Sequence, residues 1–279
     1  MSQFLALLLP FLGKLATTMV LTVAISRVAE RAGPFLASVI ITLPIFAGPS
    51  FFFLMYEQPP EFIARGALYA FAGAGPVLAF TAGYIRASRN LGLIASLAGG
   101  AAAWAVLALP MRLLPFDLLV AFAWIAAGII AARLFRRPFE LHGRPTAPPA
   151  RWAHLLGRAT IAGFAVATVA TIGGLLGPET TGLVVSFPLT MSVSVWLLHR
   201  QYGGEFAAAT LAATQRTLLS YASFCLVLSL LAGVLAIELA FWSAIGMSVV
   251  SALGLAAVGQ SARRRISPPA PVSRPKEDH

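Results

Sequence analysis

GPFLASVIITLPIFAGPSFFFLMYEQPPEF, residues 33–62, finds its counterpart in GPETTGLVVSFPLTMSVSVWLLHRQYGGEF, residues 177–206. Gly33-Pro34, Pro44, Ser50, Leu54, Glu61 and Phe62 fall on Gly177-Pro178, Pro188, Ser194, Leu198, Glu205 and Phe206. One offset, 177 − 33 = 144, serves all of them without a gap. Working outward, it also carries Leu12-Gly13-Lys14 onto Leu156-Gly157-Arg158. The two halves read as diverged copies, and a repeat of this length decides the fold before local propensity does. In an apolar chain, an internal repeat is the mark of a membrane transporter assembled from two related halves.

The chain is apolar. Of its 279 residues, 58% are hydrophobic and 11% charged, against about 25% charged in soluble domains. Runs of about 20 apolar residues recur, each long enough to cross the hydrocarbon layer. The short alternating segments of a β-barrel are missing. The expected class is therefore an all-α polytopic membrane protein with the lipid bilayer as its main partner. The net charge of +10 does not point to nucleic acid, because the basic residues lie between the apolar runs. The N-terminus lacks a basic leader and Lys14 interrupts its apolar stretch, so it does not read as a signal peptide. Cys225, the single cysteine, reads as a small packing residue. The four histidines have no metal-ligand spacing, and neither cofactor nor metal is expected.

Breaker residues divide the chain into nine expected spans, at about 14–32, 34–56, 61–85, 91–110, 116–134, 157–176, 180–198, 206–230 and 234–258. Residues 1–134 form a first half, 135–156 a cytoplasmic linker, 157–260 a second half and 261–279 a disordered tail. Every second connection is basic, as at Arg27 and Arg31, Arg86 and Arg89, Arg133 to Arg158, Arg200, and Arg263 to Arg265. The positive-inside rule then puts the N-terminus outside and the C-terminus in the cytoplasm of a bacterial inner membrane. Spans 1–4 match spans 6–9. Five spans separate the two starts, so the copies enter from opposite faces as an inverted repeat, a five-plus-five fold lacking its first helix.

This arrangement resembles the nine-span members of the bile-acid/sodium symporter family, in a clan with auxin-efflux and LrgB-type proteins. Gly177-Pro178 through Gly182 to Pro188 is similar to the Gly-Pro stretch of the LrgB type. The chain also resembles a bacterial membrane-protein family with the same paired Gly-Pro…Pro pattern, which brings no function with it. The clan resemblance implies that spans 3 and 8 are unwound at mid-membrane and cross one another.

Candidate site residues follow from groups that are costly in lipid. Gly73, Gly75 and Pro76 interrupt span 3, either as a break exposing backbone carbonyls or as a close-packed kink. At the matching depth of span 8, Arg216 lies 11 residues past Glu205 (216 − 205), about 16 Å along a helix. A charge at that depth costs at least about 2.5–3.5 kcal/mol without a partner, and no Asp or Glu lies at its level. Gln215 and Thr217 flank it. Its partner is released carbonyls, the Gln215 amide or an anion from solution. Thr42-Leu43-Pro44 and Ser186-Phe187-Pro188 recur at equal depths, where each proline should free a carbonyl, at Ile40 and Val184. Lys14 and Arg158 read as interfacial anchors, and Glu61 can pair with Arg65 at i,i+4.

No nucleotide motif or catalytic triad is present, so no enzyme is expected. The leading expectation is secondary transport of a small organic solute, with an anion favoured by Arg216. Sodium coupling and homodimer formation stay open. The alternative is a non-transporting scaffold or a holin-like regulator of the cell envelope.

Overall fold

The computed structural model describes residues 2–31, 39–40, 43–114, 116–134, 152–215 and 218–266. Among them there are helices and turns and no strand. The first helices are α1 (Ser2–Arg31), α2 (Ala47–Glu57), α3 (Pro60–Ala72) and α4 (Ala74–Ala87). They are followed by α5 (Leu93–Ala108), its 3-10 extension Leu109–Arg112, and α6 (Leu118–Leu134). Next come α7 (Trp152–Leu176), α8 (Pro178–Ser186), α9 (Leu189–Tyr202), α10 (Gly204–Thr214), α11 (Leu218–Leu231) and α12 (Ile237–Ile266).

Among the described residues, six stretches are long and apolar enough to cross a membrane: Leu8–Ala29, Pro60–Ala87, Leu93–Arg112, Leu155–Leu176, Pro178–Tyr202 and Ile237–Val258. A seventh joins α10 to α11 across a 43° bend. The nine expected spans thus reduce, on length and composition, to six or seven. With 17 residues, α6 is about 25 Å long, short of the roughly 30 Å of hydrocarbon. In expected span 2, α2 supplies 11 residues, and much of what precedes it lies outside the described residues. The helices also outrun two expected boundaries: α7 starts inside the expected linker, and α12 continues to Ile266. Residues 2–13, which the sequence leaves open between an extension of span 1 and the interface, join α1.

Helix boundaries obey the 144-residue offset. Pro60 maps to Gly204, the start of α10; Ala74 and Ala87 map to Leu218 and Leu231, the two ends of α11; Leu93 maps to Ile237, the start of α12. Contacts follow the same exchange. α1 packs on its counterpart α7; α4 on α5 as α11 on α12; α3 on α11 as α10 on α4; α2 on α12 as α9 on α5.

The centre is the rod formed by α3 and α4. In its most apolar window 89% of residues are buried, against 17% for α1 and for α5. Neighbours approach the rod at backbone level. Gly182 of α8 lies against the Gly66 carbonyl, Gly128 of α6 against Gly75, and Gly99 of α5 against Gly83. Small residues are what allow such approach between membrane helices, where apolar burial gives little drive.

Two charges sit elsewhere than expected. Lys14 is 7% exposed. It pairs with Glu57 at 2.6 Å and donates to the Ala170 carbonyl at 3.3 Å, because the end of α2 and the face of α7 both meet α1 there. Lys14 is therefore buried and neutralised by Glu57, whose own side chain is 39% exposed. Arg65 reaches Glu179 in the first turn of α8 at 2.6 Å rather than Glu61. Its guanidinium also lies over Tyr69, 5.8 Å from the ring centroid.

Gly75→Leu would drive a side chain into the Trp124 carbonyl, 2.6 Å from the nearest Cβ position. It is expected to cost about 1–3 kcal/mol or more, seen as a lowered thermal midpoint in detergent. Gly246→Leu faces open space and should leave the midpoint unchanged. Equal losses in both would refute the packing of α4 on α6.

Candidate functional site

A proline cannot donate to the fourth residue before it, so the chain at Pro44 and Pro188 must find other backbone bonds. It finds the same ones twice. The Leu43 amide donates to the Ile40 carbonyl at 3.3 Å, that of Ile45 to Leu43 at 2.8 Å and that of Gly48 to Pro44 at 2.8 Å. At positions 144 higher, Phe187 donates to Val184 at 3.1 Å, Leu189 to Phe187 at 2.7 Å and Ser192 to Pro188 at 2.8 Å. Hydroxyls repeat as well, Ser50 to the Phe46 carbonyl at 2.9 Å and Ser194 to that of Thr190 at 2.8 Å. The carbonyls of Ile40 and Val184, expected to be free, are therefore taken by tight turns. In the second break it is Val185 that loses its helical donor, since the Leu189 amide turns to Phe187.

Span 3 is not unwound at Gly73–Pro76. Gly73 is a single turn residue with right-handed angles, φ −58° and ψ −15°. Its amide donates to Tyr69 at 2.9 Å, and its carbonyl accepts from Val77 at 3.1 Å. Pro76 sits in the first turn of α4, where helices tolerate it. The glycines serve close packing instead of releasing carbonyls. Gly73 abuts the Ser186 side chain, so these two expected site residues do meet. Gly75 faces the backbone of Trp124 and Gly128, away from Ser186.

Two breaks converge on α4. Phe187 sets its ring edge-on to Phe80, with centroids 6.4 Å apart, and to Trp104 at 5.1 Å. Gln215, ending α10, donates from Nε2 to the Thr81 hydroxyl at 2.8 Å. Thr81 passes its own hydrogen to the Leu78 carbonyl at 2.7 Å. Met191 of α9 packs with Leu211 and Ala212 of α10 in the same cluster as Phe80. One turn below Gly73, Tyr221 of α11 donates to the Ala70 carbonyl at 2.9 Å. Thr42, Arg216 and Thr217 lie outside the described residues. Arg216 follows Gln215 directly in the chain.

What the arrangement offers is hydrogen-bonding capacity in apolar surroundings. Ser186 donates to Leu183 at 2.7 Å and Ser192 to Pro188 at 2.9 Å, which leaves their lone pairs as acceptors. Helices α9 and α11 both start at the breaks, and a helix start presents amides without intrahelical acceptors. Trp104 buries its Nε1–H with no acceptor among the described residues. An orphaned buried donor of this kind costs about 1–3 kcal/mol. Sequence reading missed Thr81, Phe187 as a contact, and Trp104, since each looks like an ordinary member of an apolar run. The one available signal was asymmetry: the offset maps Thr81 onto Cys225 and Trp104 onto Ser248.

Thr81→Val keeps the shape but strands the Gln215 amide, with an expected cost of about 1–3 kcal/mol. Gln215→Leu in the Thr81→Val background should cost less than in the parent, with a coupling of about 0.5–1.5 kcal/mol in a double-mutant cycle. Strict additivity would break the proposed contact. Comparison of the chain with protein-family models, with curated proteins and with solved structures finds no match.

Proposed function

We propose that the protein is a secondary transporter of a small organic solute, anionic on the strength of Arg216, acting by alternating access in a bacterial inner membrane. The observation that carries this reading is the recurrence of one hydrogen-bonded proline break at positions 144 apart, the second set against a bent helix pair on α4. Transporters place their substrate sites near the midplane where broken helices of two repeats meet. Breaks in hydrocarbon persist where a protein interior or a cavity satisfies them.

An inverted repeat accounts for the exchange of contacts between the halves, with the pseudo-two-fold axis in the membrane plane. It requires nine spans, so that α2 with the residues before it, α6 and the α10–α11 pair each count as one. The resemblance to the bile-acid/sodium symporter clan agrees with that arrangement. An N-terminus outside and a C-terminus inside follow from the basic connections. Reporter fusions after Pro60 and after Arg144 should read outside and inside. The same reading at both sites would overturn the topology.

In this scheme the anionic group of the solute lies at Arg216, with the Gln215 amide and the Trp104 indole N–H as further donors. The starts of α9 and α11 add the positive ends of their dipoles. Glu57 and Glu179, the carboxylates paired with Lys14 and Arg65, lie near the ends of the helices that carry them. Coupling through a mid-membrane carboxylate is therefore disfavoured. Sodium held by carbonyls and hydroxyls, or facilitated diffusion, remains compatible.

Proteoliposomes containing the purified protein alone should take up an organic anion that stabilises it in a thermal-shift screen; a ligand at 100 times its dissociation constant adds about 2.7 kcal/mol. Arg216→Gln should abolish that stabilisation while the protein stays folded. Trp104→Phe keeps a ring and removes the N–H, and should weaken binding several-fold. Absence of flux for every stabilising anion would favour the scaffold or holin-like alternative. Undiminished binding in Arg216→Gln would remove the arginine from the site.

A further inference from the structure

Helices α5 and α6 cross α4 at different levels. α5 crosses where Gly99 and Ala103 meet Gly83, and α6 where Gly128 meets Gly75. The Trp124 indole of α6 donates to the Leu107 carbonyl of α5 at 2.9 Å and ties the two together. Beyond that tie they are separated by a cavity of about 600 Å³. Its floor is α4, with Ala79, Ala82 and Gly83, and Ala131 of α6 closes one side. The short side chains create the space. The lining is apolar except at one end, where Arg86 and Asn90 stand, both exposed. Arg86 has neither an ion pair nor a hydrogen bond among the described residues. The outer faces of the two helices are apolar, with Ile94, Ile130 and Leu134 exposed, so the cleft opens through an apolar surface.

We infer that this cleft binds one anionic phospholipid, an acyl chain lying on the α4 floor and the phosphate held by Arg86 with Asn90 beside it. The volume falls within the roughly 300–1,000 Å³ of small-molecule sites. A compact hydrophilic anion would gain nothing from the apolar floor, whereas a chain with a charged head matches both parts. A guanidinium forms charge-assisted bonds with phosphate oxygens. Basic pockets between membrane helices on the cytoplasmic side suit anionic headgroups, and Arg86 belongs to a basic connection. The inference rests on the helices crossing a membrane with the Arg86 end on the cytoplasmic side, and not on transport, so the two can fail separately.

The test uses the full-length protein in detergent, incubated with equal amounts of phosphatidylglycerol and phosphatidylcholine, with retained lipid read by native mass spectrometry. The parent should retain phosphatidylglycerol with about a fivefold preference, the contribution of one basic residue near an anionic headgroup. Arg86→Gln, at an exposed position that does not threaten folding, should bring the ratio to about one. Ala131→Leu should reduce retention of both lipids by filling the cleft. Arg200→Gln, an exposed arginine that does not line the cleft, should change nothing. An unchanged ratio in Arg86→Gln, or an equal fall in Arg200→Gln, would overturn the site. Displacement of phosphatidylglycerol by equimolar oleate would overturn the phospholipid assignment in favour of a free carboxylate.

Discussion

Backbone-level contact along the α3–α4 rod is the constraint on which the rest of the structure depends. Gly73, Gly75 and Gly83, together with Gly182 of α8 against the Gly66 carbonyl, each let a different neighbour come closer than a side chain would permit. Through them α8, the α8–α9 break, α6 and α5 are hung on one element. Lipid tails are as apolar as leucine, so burial alone would not choose among packings, and steric fit at small residues does. The same contacts explain why the glycines of span 3 do not open the helix. Each is occupied by a neighbour and keeps its backbone hydrogen bonds.

The two proline breaks show how a polar backbone is managed in apolar surroundings. A tight turn takes up one carbonyl, and serine hydroxyls one turn on return to the backbone. Positions related by the offset share this scaffold and differ in what is mounted on it. Thr81 stands where the other half has Cys225, Gln215 where it has Phe71, and Trp104 where it has Ser248. Ser248 closes a hydroxyl pair with Ser220 at 2.8 Å, whereas the Trp104 N–H has no acceptor among the described residues. The Trp104 N–H and the Gln215–Thr81 bond thus stand on one side of an otherwise matched frame, where α4, α5, α9 and α10 meet.

The ion pairs do different work. Lys14–Glu57 joins α1 to α2 and also reaches α7 through the Ala170 carbonyl. Arg65–Glu179 joins α3 to the first turn of α8, where a carboxylate also suits the helix dipole. Both lie between helices distant in sequence; Lys14 is buried and its charge would otherwise be penalised, whereas Arg65 and Glu179 are substantially exposed and their pair adds little. In the offset-related positions Arg158 and Gln201 replace Lys14 and Glu57, so this tie belongs to one half alone.

Much was legible in the sequence, because its information is linear there. Composition predicts an all-helical chain with helices apolar enough to span a membrane, and a gapless offset predicts where helices begin and end, since a repeated sequence has the same local preferences twice. Prolines mark both breaks for the same reason. The partners across space were not legible. Nothing within 14 residues of Lys14 announces Glu57, and the i,i+4 rule favours Glu61 for Arg65 although α8 delivers Glu179. Gly73–Pro76 reads equally as an opening or a packing surface, and only the arrival of Ser186, Trp124 and Gly128 decides between them. Trp104 and Thr81 acquire their roles from Phe187 and Gln215, which come from the other half of the chain. Local sequence sets the helices and their interruptions; which side chains face each interruption is a property of how the helices pack.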